Sequence, residues 1–318
     1  MNKSIIRPSD NVKIYRYDFN NMVELVDYLK TAKVNKEIFN ERDLSSSVTG
    51  DYAWYKTRSF GEALNYCLSG DPKAIDIFNS KNKEVSLMFP KLSQKRNIVH
   101  DYYGHRVNVN RYLTSNPRCM YRLERNEYYN IIDIYYNVSA LGGNTGNQLF
   151  NRGVATINLI KLLEGLGYRV RLNFLSLSKD SRLFDDKREY FYFSMNIKRP
   201  EEKISPAICC FPMCNPSFLR RIIFRLRETT DFQFYEWGTG YGRTLYTEEM
   251  KQFLEDYSHI DMSKSIIISD PESMGINGID LQEDVISLFE AIDINKYIEG
   301  YQVDYNDKSK GFTLKRKK

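Results

Sequence analysis

The passage from residue 131 to residue 168 limits the fold more than any other. IIDIYYN is an apolar, β-branched and aromatic run that stops at Asn137. The next residues, VSALGGNTGNQ, are mostly small, polar or glycine, and NRGVATINLIKLLEGLGY follows. The first run predicts a buried strand. The last predicts a long helix closed at Gly167, apolar around much of its circumference and therefore substantially buried. A strand, a glycine-bearing loop and a buried helix in that order form the first half of a crossover unit, so a layered α/β domain is expected.

The downstream sequence continues the pattern. YRVRLNFLSLS and EYFYFSMNIK read as strands, SFLRRIIFRLRE and TEEMKQFLEDYSHI as helices, SIIIS as a short strand and DLQEDVISLFEAI as an amphipathic helix. A strand as uniformly apolar as SIIIS is covered on both faces, the mark of a parallel strand inside an α/β sheet. The expected fold class is α/β, a mainly parallel sheet flanked by helices.

Residues 1–125 have a different texture, polar and broken, and predict a smaller α+β region. NMVELVDYLKTA is an amphipathic helix with Met22, Leu25, Val26 and Leu29 on one face. SFGEALNYCLSGDP is a second, capped by Ser59 with Glu62 three positions on and ended by Gly70 and Pro72. Beyond it a short hairpin is expected around Gly104. The division read from the chain is a helical and hairpin region over 1–125, an α/β domain over 126–300 and a basic tail over 301–318.

Composition closes off several classes. At 42% hydrophobic and 27% charged, the 318-residue chain has enough apolar content for a packed core and is not a disordered polymer. The formal charge of +5 is concentrated in the terminal KSKGFTLKRKK, so the remainder is near neutral. Cys67, Cys119, Cys209, Cys210 and Cys214 contain no CxxC pair, which excludes the usual zinc spacing and argues against a disulfide framework. No leader-like segment and no membrane-length apolar run is read. A cytoplasmic setting without membrane contact is expected, either host cytoplasm or a virion.

In open α/β sheets ligands collect at the carboxyl ends of strands, where the loop 138–147 is placed. Gly142, Gly143 and Gly146 would allow close backbone approach, and the following helix N-terminus favours an anion. Gly142, Gly143, Asn144 and Thr145, with Arg220 and Arg243 as clamps, form the candidate anion site. The spacing matches neither a dinucleotide fingerprint nor a Walker loop.

The ends of two strands also resemble the von Willebrand factor A family. There the first strand ends in D-x-S-x-S and a later strand delivers a second aspartate. Here the corresponding stretches are Asn137-Val138-Ser139-Ala140-Leu141 and IIISDPE, which ends its strand at Asp270. The resemblance implies a Rossmann-like sheet and a divalent-ion site of Asn137, Ser139 and Asp270. Asparagine and leucine replace an aspartate and a serine, so that site is expected to be degraded, with Mg2+ as its ion and no other cofactor.

A second resemblance is to an uncharacterised family of phage and prophage proteins. It is carried by SFGEALNYCLSGDPKA, YYGHRVNVNRYLTSNPRCM, NRGVATINLIKLLEGLGYRVRL, NPSFLRRIIFRLRE and GYGRTLY. Where those relatives often have Gly-x-Pro before the methionine, this chain has Ser115-Asn116-Pro117. The resemblance implies a phage-related accessory protein and no particular activity.

Other clusters read as structural. Arg220, Arg221, Arg225 and Arg227 lie along one helix, read as a surface helix with solvated arginines or as a phosphate-binding face. The glycines of WGTGYGR form a turn ahead of Arg243. His100 and His105 miss the spacing of a helical metal pair, and His259 reads as a helix C-cap. The cysteines of ICCFPMCNP read as core, and the pairs Asp185-Asp186 and Glu201-Glu202 as solvated loops.

The expected function is non-enzymatic, acting through contacts with an unidentified protein. The alternatives are a nucleotide- or phosphate-binding enzyme or sensor using residues 142–146, and a nucleic-acid binder using residues 217–228 with the tail. Oligomeric state is left open.

Overall fold

The computed structural model describes residues 1–36, 52–89, 98–104, 106–123, 130–180, 188–232, 243–304 and 312–317. It opens with β1 (Asn2–Ser9), β2 (Val12–Phe19) and α1 (Met22–Thr31), then α2 (Tyr52–Tyr55), α3 (Phe60–Ser69) and α4 (Pro72–Met88). A separate small sheet holds β3 (Ile98–Asp101), β4 (Arg106–Val107) and β5 (Met120–Leu123), with α5 (Val109–Leu113) between the last two.

The α/β part runs β6 (Ile131–Asn137), α6 (Gly146–Gly165), β7 (Arg169–Lys179), β8 (Arg188–Lys198) and α7 (Pro206–Cys214). A π-helical stretch, Phe218–Ile223, runs directly into α8 (Phe224–Glu228). After these come β9 (Arg243–Thr244), α9 (Thr247–Ser258), β10 (Ser265–Ile268), α10 (Leu281–Ile292), β11 (Tyr301–Asp304) and β12 (Thr313–Arg316).

The main sheet has the order β1-β2-β8-β7-β6-β10, with β9 against β7. Its pairing is mixed rather than mainly parallel. β6 is parallel to β7 and β10, and β2 to β8; β7–β8, β1–β2 and β7–β9 are antiparallel. Connection length explains the departure: a parallel crossover needs a dozen or more residues, and fewer separate Lys179 from Arg188.

Each strand alternates between two unequal layers. Ile132, Ile134, Tyr136, Val170, Leu172, Phe174, Phe191 and Phe193 face the large core with α1, α3, α4, α6, α7 and α10. Tyr135, Leu175, Leu177, Tyr190, Tyr192 and Ile267 face a smaller core closed by Met250, Phe253 and Leu254 of α9. Gly153 lets α6 and α7 approach: a Cβ there would lie 2.6 Å from Cys214 Sγ and from the Met213 carbonyl oxygen. Cys67, Cys209, Cys210 and Cys214 are buried thiols, as core residues would be.

Ser59 Oγ accepts from the Glu62 N–H at 3.0 Å, and Met22, Leu25, Val26 and Leu29 are buried. His259 caps α9 in the left-handed conformation.

The proposed boundaries describe the packing less well. β1 and β2 extend the main sheet, and α1, α3 and α4 contribute to its large core, so these elements share one interior with the α/β part. Pro72 opens α4 rather than simply ending α3. Of the expected tail, β11 pairs with β12 and Phe312 is buried against Phe89 and Phe289. The hairpin expected around Gly104 is three-stranded, with β5 between β3 and β4. Gly104 is needed for that course, since a Cβ would lie 2.1 Å from the Tyr121 carbonyl oxygen.

Candidate functional site

β6, β7 and β10 are adjoining and parallel, so their carboxyl ends meet at one edge of the main sheet. Asn137 ends β6, and Ser269 and Asp270 follow β10 immediately. Asn137, Ser139 and Asp270 are all buried there. The sequence reading brought these three to adjoining strand tips, and the fold does so.

Their polar atoms are committed to the chain itself. Asn137 Oδ1 accepts from the Ser139 N–H at 3.1 Å, and its Nδ2 donates to Thr244 Oγ1 at 3.1 Å and Met250 Sδ at 3.4 Å. Asp270 accepts from the Leu141 N–H (2.8 Å), Asn144 Nδ2 (2.6 Å) and the Glu272 N–H (3.1 Å). It thereby staples the glycine loop to the loop after β10. A buried carboxylate needs such donors, because leaving it unpaired would cost several kcal/mol, roughly 3–5.

At the centre of this edge is a guanidinium. Arg227 Nη2 donates toward Ser139 Oγ (2.9 Å), Ser176 Oγ (2.8 Å) and Ser178 Oγ (2.6 Å). One nitrogen carries two hydrogens, so the three hydroxyls share them, and Ser139 Oγ and Ser176 Oγ are also 2.8 Å apart. Arg227 is buried, with its guanidinium carbon 5.1 Å from the Phe191 ring centroid. Asn137, Ser139 and Asp270 therefore sit in an edge whose cation is supplied by α8.

A second buried arginine braces the same edge. Arg152 of α6 donates from Nε to Tyr136 Oη (3.0 Å) and from Nη1 to the carbonyls of Ser269 (2.7 Å) and Ser139 (3.4 Å). Burial pushes the Tyr136 phenol up to about 12, against the pull of Arg152. The phenol therefore stays protonated and donates to the Met213 carbonyl.

The candidate anion residues divide. Gly142 and Gly143 are exposed, and a Cβ on either would meet nothing within 4 Å. Asn144 is spent on Asp270 and the Leu141 carbonyl. Thr145 caps α6 reciprocally with Gln148, which occupies donors an anion would use. Arg220 lies 3.5 Å from the Trp54 ring centroid and donates to the Trp54 carbonyl (2.5 Å) and the Asn144 carbonyl (3.5 Å). Arg243 is engaged by both Glu249 carboxylate oxygens, at 2.6 and 2.9 Å.

The arginine helix is buried rather than solvated. Arg220, Arg221 and Arg227 lie in the interior, and Arg221 donates to Thr57 Oγ1 at 2.9 Å. The segment 52–57 packs over Arg220 and Arg221, and Arg225 is half-buried. His100 meets Asn108 Nδ2 at 2.8 Å. His105, Asp185, Asp186 and the glycines at 238, 240 and 242 lie outside the described residues. Among the described residues, no group of three or more His, Cys, Asp or Glu side chains is gathered to hold a metal ion. No described helix is long and apolar enough to cross a membrane.

Arg152, Ser176 and Ser178 were not picked out from the sequence, and Arg227 was read only as one arginine of a surface or phosphate-binding helix. A usable signal was present. LSLS alternates hydroxyls onto one face at the end of a buried strand, and Arg152 falls within a helix that is apolar around much of its circumference.

A family model described as a domain of unknown function (DUF7192) matches residues 3–296, and the chain belongs to that family. No curated protein and no solved structure matches it.

Proposed function

We propose that this protein is a non-enzymatic binding domain on a von Willebrand A-like frame, acting through protein contacts without a metal ion. The reading is carried by one observation: the strand-tip edge already holds a cation, Arg227, among Ser139, Ser176 and Ser178. The frame is supported by the local order β8-β7-β6-β10, with β6 and β7 joined through α6 and Asp270 delivered beside the β6 tip. A divalent ion would need anionic oxygens. The nearest carboxylate, Asp270, is turned to three N–H donors instead. A phage-related accessory role is the biological setting this reading fits.

Titration calorimetry with MgCl2 and MnCl2 tests it. The expected result is no saturable heat for the wild type. A saturable Mn2+ heat that disappears in Asp270→Ala would overturn it.

A second reading, phosphate recognition, draws on Gly142 and Gly143, which are exposed and which packing does not require. A thermal shift with ATP or GTP that Gly143→Val abolishes would establish it in place of the first.

A further inference from the structure

We propose that residues 98–104 and 106–123 form a contact surface for single-stranded nucleic acid. Among their described side chains none belongs to either hydrophobic core, and none is buried. The segment is held by its own bonds. β5 pairs with both β3 and β4, and Asn108 Nδ2 donates to Tyr121 Oη at 2.8 Å and meets His100 Nε2 at the same distance. Asn108 Oδ1 also accepts from the Arg111 N–H at 3.2 Å. A small sheet whose described side chains add nothing to either core has its outward surface as its product.

The exposed surface of the segment is aromatic and basic. Tyr102, Tyr103 and Tyr112 are 61%, 65% and 65% exposed. Arg118 lies 5.3 Å from the Tyr102 ring centroid and Arg122 5.2 Å from that of Tyr103. The segment contains Arg106, Arg111, Arg118 and Arg122 against a single carboxylate, Asp101, which Arg122 engages at 2.8 Å. Among the described residues no carboxylate pairs with Arg106, Arg111 or Arg118.

Rings interleaved with arginines, three of which have no carboxylate partner among the described residues, suit a strand whose bases are unstacked. The phosphates meet the guanidinium groups, and each base has a face to lay on a tyrosine. A duplex hides its base faces, and an acidic polypeptide would satisfy the arginines while leaving the rings unmatched. The inference uses no atom of the strand-tip edge and stands or falls separately from the reading given for it.

Fluorescence anisotropy of the full chain with labelled oligo(dT) and oligo(U) of about 20 nucleotides tests the proposal, a length exceeding common single-domain site sizes. Saturable binding is expected. Tyr102→Ala with Tyr103→Ala should weaken it at least tenfold, on the order of one lost stacking contact or more. Tyr102→Phe with Tyr103→Phe keeps the rings and should keep the affinity. Arg118→Ala should lower the slope of log K against log salt by about 0.7.

Three results would each overturn the proposal. These are no binding at low salt, equal affinity in the double alanine variant with wild-type melting, and polyglutamate competing as well as oligo(U).

Discussion

The strand-tip edge and the segment of residues 98–104 and 106–123 use the same residue types in opposite ways. At the edge, Arg152 and Arg227 are buried and surrounded by hydroxyls and carbonyls, and Tyr136 donates inward to the Met213 carbonyl. In the segment, tyrosines and arginines stack on one another at the surface, and three of the four arginines have no carboxylate partner among the described residues. The comparison shows that residue type alone does not separate a structural arginine from a binding one. What separates them is whether the chain supplies the acceptors. Where it does, desolvation is offset internally and the group becomes part of the fold. Where it does not, the acceptors must come from water or a partner.

Three measurements break or sharpen this contrast. The largest effect is expected at Arg227. Arg227→Ala removes a charged donor shared by three buried hydroxyls and leaves a void, and should destabilise the protein by about 3 kcal/mol in urea unfolding. A change below about 0.5 kcal/mol, the range of ordinary surface substitutions, would move Arg227 to the exposed side of the comparison.

A smaller effect is expected at Glu249, midway between the two extremes. Burial acts to raise its pKa. The Lys179 ammonium, the Tyr246 N–H and Arg243 together outweigh burial and hold the carboxyl below its ordinary range. A depressed folded-state pKa stabilises above the unfolded value and is lost as pH falls through the folded one. Thermal melting of the wild type should therefore drop more steeply below pH 4.5 than that of Glu249→Gln. Parallel curves would show that the pairing does not survive in solution.

The smallest effect is expected in the segment. Tyr102→Ala with Tyr103→Ala should change unfolding stability by less than about 1 kcal/mol, since the rings bury little surface. A loss of several kcal/mol would show that the platform leans on them structurally.

Legibility in the sequence followed the range of the interactions involved. The β6–loop–α6–β7 passage was readable because each element carries its own period and the turn residues sit between them. Ser59 and Gly167 marked helix ends through chemistry that reaches only a few residues. The buried arginines were not readable as such. Charged side chains default to the surface, and the acceptors that bring Arg227 inside come from residues 139, 176 and 178. The pairing of β2 with β8 was equally hidden, because nothing near residue 12 announces a partner near residue 188. At the candidate site, the meeting of Asn137 and Asp270 at neighbouring strand tips was legible from their placement after apolar runs. The guanidinium among the serines was not.

The parallel register of β2 on β8 also bears on how the chain is made. The opening hairpin leaves the ribosome long before Arg188, and at usual synthesis rates it waits roughly ten to thirty seconds for its neighbour. Through that interval Tyr15, Tyr17 and Phe19, which end up buried, have no β8 to pair with. A nascent chain arrested before β8 should therefore be a client for chaperones and a substrate for proteases, and release of the remaining residues should end both.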